Sequence, residues 1–171
     1  MAGLTISIYV ANLSQYKQGT TIGDWFELPV SWSNIEHRCQ LNGVEEEYII
    51  LDYEAPFEIS ENENIDRLNR VAELFEEYAS NEAMKYIPYL VNEMGVFETF
   101  EIAVEQIDDI HVYPDCKNFG DYAYVVFEEM GAVQGLPEIV RNNIDWDSVG
   151  YDIQASDGNI YQVDDVVIEV P

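Results

Sequence analysis

The sequence predicts an α+β fold in three consecutive parts: a small α+β domain over residues 1–60, a helical one over 61–108 and a second α+β one over 109–171. Three observations carry that reading. Runs rich in β-branched and aromatic residues, LTISIYVA (4–11), EYIILDYE (47–54) and DIHVY (109–113), lie towards both ends, as strands require. Between them the apolar residues recur three and four apart, the period of an amphipathic helix. The chain has 171 residues, 47% of them hydrophobic and 13% aromatic, so it can bury a sizeable core.

The elements follow in order. After the first strand comes a polar loop, NLSQYKQGTTIGD, and a short strand around Trp25–Leu28 that Pro29 closes. Ser31 or Ser33 can cap a helix running to about Leu41, with Asn42-Gly43 as its stop. The strand Glu47–Glu54 completes a meander-like sheet. In the middle, Ile65, Leu68, Val71, Ala72, Phe75 and Tyr78 form one helical stripe. Met84, Ile87, Leu90, Val91 and Met94 form a second, with Pro88 as a kink or boundary, and Phe97, Phe100, Val104 and Ile107 a third. Beyond the strand at 109–113, a helix starts at Asn118 and ends at Gly131, and Pro137 can open another. The runs YDIQA and IYQV flank Ser156-Asp157-Gly158-Asn159, which reads as a hairpin.

Charge dominates the composition. Thirty-four Asp and Glu against seven Lys and Arg give a formal charge of −27. Residues 1–60 carry −7, residues 61–108 carry −9 and residues 109–171 carry −11, so the excess is no acidic tail but a charged surface over a folded body. Phosphates and anionic membranes repel such a surface, which points away from nucleic acid and membrane and towards basic proteins or cations. No run of eighteen apolar residues is present, and MAGLTISIYVANLSQ lacks the basic n-region of a signal peptide. Cys39 and Cys116 form no disulfide framework and fit a reducing cytoplasm.

Catalytic motifs are missing. There is no Walker loop, no G-x-S-x-G and no H-E-x-x-H, and His37, Cys39, His111 and Cys116 lack zinc-site spacing. The loop from Asp152, DIQASDGNIYQV, departs from an EF-hand: its glycine falls one position late, and Val163 stands where a glutamate is needed. The expectation is a protein without catalytic residues, cofactor or metal. Halophilic surface adaptation would also account for the charge, but no catalytic motif is present to be adapted. The remaining idea is mimicry. Duplex DNA carries one charge per ~1.7 Å, so 27 charges match roughly 46 Å of duplex, about 13 to 14 base pairs.

Several blocks resemble the ArdA family of antirestriction proteins. IYVANLSQYKQGTTIGDWFELP (8–29) is similar to the family's opening segment, EEYIILDYEAPF (46–57) to its second block and IDRLNRVAELFEE (65–77) to its first central helix. DYAYVVFEEMGAV (121–133) resembles the stretch called the antirestriction motif, and LPEIVRNNIDWDSVGYDI the C-terminal part. The ordered set spans nearly the whole chain. The resemblance implies a DNA mimic from a phage, plasmid or transposon that occupies the DNA-binding site of the methyltransferase core of type I restriction-modification enzymes. It also implies three small domains in an elongated row and a homodimer formed through the C-terminal domain.

In that reading the carboxylates of Asp24, Glu27, Glu45, Glu46, Glu47, Asp52, Glu54, Glu73, Glu76, Glu77, Glu98, Glu101, Asp109, Asp115, Asp121, Asp145 and Asp147 stand for phosphates. Tyr124, Phe127, Glu128 and Glu129, inside the motif, are expected at or near the dimer interface. The competing expectation is an acidic interaction protein of another kind, one that sequesters basic or DNA-binding proteins at large.

Overall fold

The computed structural model describes residues 4–42 and 47–171; the chain falls into two compact units, one reaching to Glu105 and the other spanning Gln106–Pro171. The fold is α+β, with two small antiparallel sheets among helices. The segments read as N-terminal and central lie together in the first unit up to Glu105.

The first unit is organised on strand β1 (Ser7–Asn12). Its Ile8, Val10 and Ala11, with Ile6 just before it, are wholly buried, which places β1 in the middle of its sheet. Strands β2 (Gly23–Glu27) and β3 (Tyr48–Glu54) pair with it on either side, in the order β2-β1-β3. The expected meander is therefore replaced by a sheet whose first strand is central. The exposed Asp52 and Glu54 of β3 suit an edge strand with one wet face. The stretch read as a polar loop contains helix α1 (Leu13–Lys17), whose start is capped by the Asn12 side chain accepting from the Gln15 N–H at 3.1 Å. Helix α2 (Trp32–Cys39) covers the inner sheet face with Ile35 and Cys39, and the Cys39 thiol donates to the Val10 carbonyl at 3.2 Å. It stops at Gln40, in the left-handed conformation at φ 54°, ahead of the expected Asn42-Gly43 stop; Gly43 lies outside the described residues.

Helix α3 (Ile65–Glu77) matches its predicted stripe: Ile65, Leu68, Val71, Ala72 and Phe75 are buried. Asn64 caps it. Pro88 is a boundary as read, lying between a 3-10 turn (Glu82–Tyr86) and a π turn (Tyr89–Glu93). Helix α4 (Phe100–Glu105) sets Phe100 against Phe57 and Phe75, with ring centroids 4.8 and 5.9 Å away. Asn69 joins α3 to the loop after β2: it accepts from the Val30 N–H at 2.9 Å and donates to the Val30 carbonyl at 2.8 Å.

The second unit has a sheet of order β4-β6-β5, from β4 (His111–Tyr113), β5 (Ile160–Val163) and β6 (Val166–Glu169). Helix α5 (Phe119–Glu129) starts at the Asn118 cap as predicted, and α6 (Glu138–Arg141) follows Pro137. The expected hairpin about Asp157-Gly158 is corrected. Residues Trp146–Asp157 form helix α7, and Gly158, at φ 67°, ends it. A glycine with positive φ serves a helix C-terminus as well as a hairpin turn, and here the first use wins. The actual hairpin joins β5 to β6 through Asp164-Asp165, with Asp164 at φ 52°. Cys116, Tyr122, Ile160 and Val167 form its core.

Candidate functional site

None of the described carboxylates is buried. Among the described residues, the predicted carboxylates divide into four that hold a structural contact and others that are exposed and make no ion pair. Asp24 belongs to the first group. It is held by Arg38, whose Nε donates at 2.9 Å, and this hydrogen bond, with one from the Trp25 N–H, keeps its carboxyl below the usual range. Glu101 is also paired: burial, the largest single influence, pushes its pKa up, but its hydrogen bonds and the charge of Arg67, 2.7 Å away, together leave it lowered. Asp121 accepts from the Lys117 N–H at 3.0 Å. Asp145 caps α7, and the Ser148 hydroxyl and N–H hold its carboxyl below the usual range. These four have structural duties.

The second group is exposed. Glu27, Asp52 and Glu54 share the outer face of the first sheet, and Glu73, Glu76 and Glu77 share one side of α3, at spacings of three and four. Glu47, Glu98, Asp109, Asp115 and Asp147 are exposed individually. Glu45 and Glu46 lie outside the described residues.

Two features set the charge of this surface. First, five of the seven cations engage the protein's own groups. Arg38 pairs with Asp24, Arg67 with Glu63 and Glu101, and Arg70 with Glu105. Arg141 donates to the Gln134 carbonyl at 3.2 Å, and the Lys85 ammonium lies 4.8 Å from the Tyr86 ring centroid. Second, acids sit at the wrong helix ends. A helix C-terminus carries partial negative charge and favours cations. Yet α3 ends in Glu76-Glu77, α5 in Glu128-Glu129 and α7 in Asp157, and none of the three has a base in its last turn.

The motif residues occupy a different surface. Helices α5 and α7 cross in contact: a Cβ on Gly150 would collide with the Phe119 carbonyl and lie 2.6 Å from the Gly120 nitrogen. One turn along each helix, this approach sets Tyr124 against Trp146 edge-on, at 5.4 Å, and Phe127 lies 6.2 Å from the same ring. Phe127, Val133, Leu136, Trp146 and Val149 line an open apolar cleft of about 260 Å³. Beside it in sequence, Met130 and Ile139 are 73% and 76% exposed, and Tyr124 is 48% exposed. Glu128 is half-buried and Glu129 exposed. The sequence reading missed Trp146 as a partner of the motif. The signal was available in W-x-x-x-G, which puts Trp146 and Gly150 on one side of a helix, but the hairpin reading of 151–163 concealed it.

Cys39 and Cys116 are buried, and burial pushes both thiols above their ordinary pKa. Among the described residues, no group of three His, Cys, Asp or Glu is placed to hold a metal ion, and no helix is long and apolar enough to cross a membrane.

Fold and surface together define a small acidic α+β protein whose distinctive chemistry is a carboxylate surface and an apolar cleft. Comparison with protein families places it further: residues 8–169 match the model of the antirestriction protein ArdA. The chain belongs to the ArdA family of antirestriction proteins. No curated protein matches it.

Proposed function

We propose that the chain is a DNA mimic that occupies the DNA-binding groove of a type I restriction-modification enzyme, at its methyltransferase core, and competes with DNA. The observation that carries this reading is the placement of charge against folding. Acids at the C-termini of α3, α5 and α7, with the arginines spent on internal partners, are disfavoured by helix electrostatics yet present outward negative charge. A surface selected only for solubility has no need of carboxylates at those ends. In this reading the segments 1–60, 61–108 and 109–171 act as three small domains, each carrying part of the charge track. Two copies join through the cleft around Phe127 and Trp146, with Tyr124, Glu128 and Glu129 at its border, which lengthens the track. The chain acts without catalysis, in the cytoplasm where its target works.

The test is inhibition in cells. A strain with a type I system is challenged with unmodified phage while it expresses either the wild-type chain or a variant with Glu45, Glu46, Glu47, Glu73, Glu76 and Glu77 all changed to Gln. Wild type raises plating efficiency and the variant loses most of that protection. Full protection by the sixfold variant would refute charge mimicry. Displacement of unrelated DNA-binding proteins at physiological salt would instead favour a general sink for basic proteins.

A further inference from the structure

The outer face of the first sheet carries more than charge. Pairing places Tyr9 of β1 between Trp25 of β2 and Asp52 of β3, and Ser7 between Glu27 and Glu54. Strands lie about 4.8 Å apart, and side chains two residues apart on one face are about 6.7 Å apart. The face is thus a two-by-three array in which an aromatic pair is bordered by three exposed carboxylates. Tyr9 and Trp25 meet edge-on, with centroids 5.8 Å apart and planes inclined at 68°. Trp25 is 40% exposed although the opposite face of the sheet is a complete core. The Asp24–Arg38 pair and the Asp24 bond to the Trp25 N–H fix the backbone from behind.

We propose that this face is an arginine-binding platform: Trp25, steadied by Tyr9, receives a partner's guanidinium against its ring while Glu27, Asp52 and Glu54 take its N–H groups and its charge. The occupant is a basic protein groove, and this rests on the reading of the chain as a competitor for such a groove. An exposed aromatic can also stack a nucleobase, but the surrounding carboxylates repel the attached phosphates. A guanidinium satisfies both halves of the array. It is planar, weakly hydrated, stacks on aromatic faces and bonds carboxylates in pairs, whereas an ammonium is a compact, strongly hydrated point charge. Trp and Arg are also the residues on which interface energy concentrates. The platform therefore adds an apolar, salt-resistant anchor to an otherwise screened interface.

The test reads Trp25 directly. The indole N–H resonances of Trp25, Trp32 and Trp146 are followed by NMR in ¹⁵N-labelled wild-type protein during titration with tri-arginine amide and, separately, tri-lysine amide. Trp25 is assigned by its loss in Trp25→Leu, or in Trp25→Phe if the former does not fold. The Trp25 signal is expected to shift saturably, about two- to fivefold tighter with arginine than with lysine. Changing Glu27, Asp52 and Glu54 together to their amides should weaken that shift, and Trp32 and Trp146 should move little. A Trp25 signal that moves no more than the other two, or equally with both peptides, overturns the platform. Because this readout needs no restriction enzyme, it decides the platform even if the wild-type chain fails to displace DNA from a methyltransferase core, a result that would count against the function alone.

Discussion

Changing Glu73, Glu76 and Glu77 to Gln should make the protein more stable while making it a poorer inhibitor. Glu73 lies three and four residues before the other two on α3, and each like-charge pair costs about 0.2–0.5 kcal/mol. Glu76 and Glu77 are the last two residues of the helix, where each negative charge costs about 0.3–1 kcal/mol at low ionic strength. Gln and Glu have nearly equal helix propensity, so the exchange itself is close to neutral. The gain is therefore about 1–3 kcal/mol at low salt. Screening shortens the Debye length from about 10 Å at 0.1 M to about 3 Å at 1 M, so most of that gain should vanish in 1 M NaCl. Denaturant unfolding of wild type and triple variant at 20 mM and 1 M NaCl measures both quantities. A variant no more stable than wild type at low salt, or a gain that is unchanged at 1 M, would refute the claim that these acids oppose folding.

Other consequences follow from particular contacts. Asn69→Ala removes both hydrogen bonds to the Val30 backbone and should lower stability by about 2–3 kcal/mol in denaturant unfolding. The hydroxyls of Tyr113 and Tyr122 both donate to Glu169 Oε2, at 3.0 and 3.2 Å. Burial first, and then Glu169, pushes Tyr113 up to about 12 and Tyr122 further. Raised folded values mean that this stability is complete below pH ~10, the unfolded value, and is lost as pH climbs through about 12. Thermal melts between pH 9 and 12 should therefore fall steeply in wild type and less in a Tyr113→Phe, Tyr122→Phe double variant. Gly150→Ala forces α5 and α7 apart and should reduce near-ultraviolet circular dichroism from Trp146. In the proposed dimer the apolar cleft is covered, so Leu136→Glu in its lining should lower the sedimentation coefficient to a monomer's without unfolding the chain; an unchanged coefficient would remove the cleft from that proposal.

What the sequence revealed depended on how local the deciding interaction is. Helix α3 and the start of α5 were legible because a 3.6-residue stripe and an Asn cap are written in adjacent residues. Helix α1 was not, since its cap, Asn12, also ends a strand and donates to the distant Gln40 carbonyl. Helix α7 was misread because Gly158 suits either of two structures, and the choice is made by the contact of Gly150 with α5. The acidic surface could be anticipated as a total, but its sorting could not. Asp24 and Glu101 acquire arginine partners 14 and 34 residues away, while Glu27, Asp52 and Glu54 come together with Trp25 only through strand pairing that includes a register shift at Tyr9/Val10. The family resemblance, by contrast, rested on ordered blocks along the chain, and the match over residues 8–169 bears it out.

The central claim is competition for a DNA-binding groove, and a displacement titration tests it most directly. A labelled duplex containing the recognition site is bound to a type I methyltransferase core at near-physiological salt, and the purified chain is added. The account predicts stoichiometric displacement, saturating near one dimer per enzyme and absent with an unrelated DNA-binding protein. Retention of the duplex at excess chain, even at low salt, would contradict it.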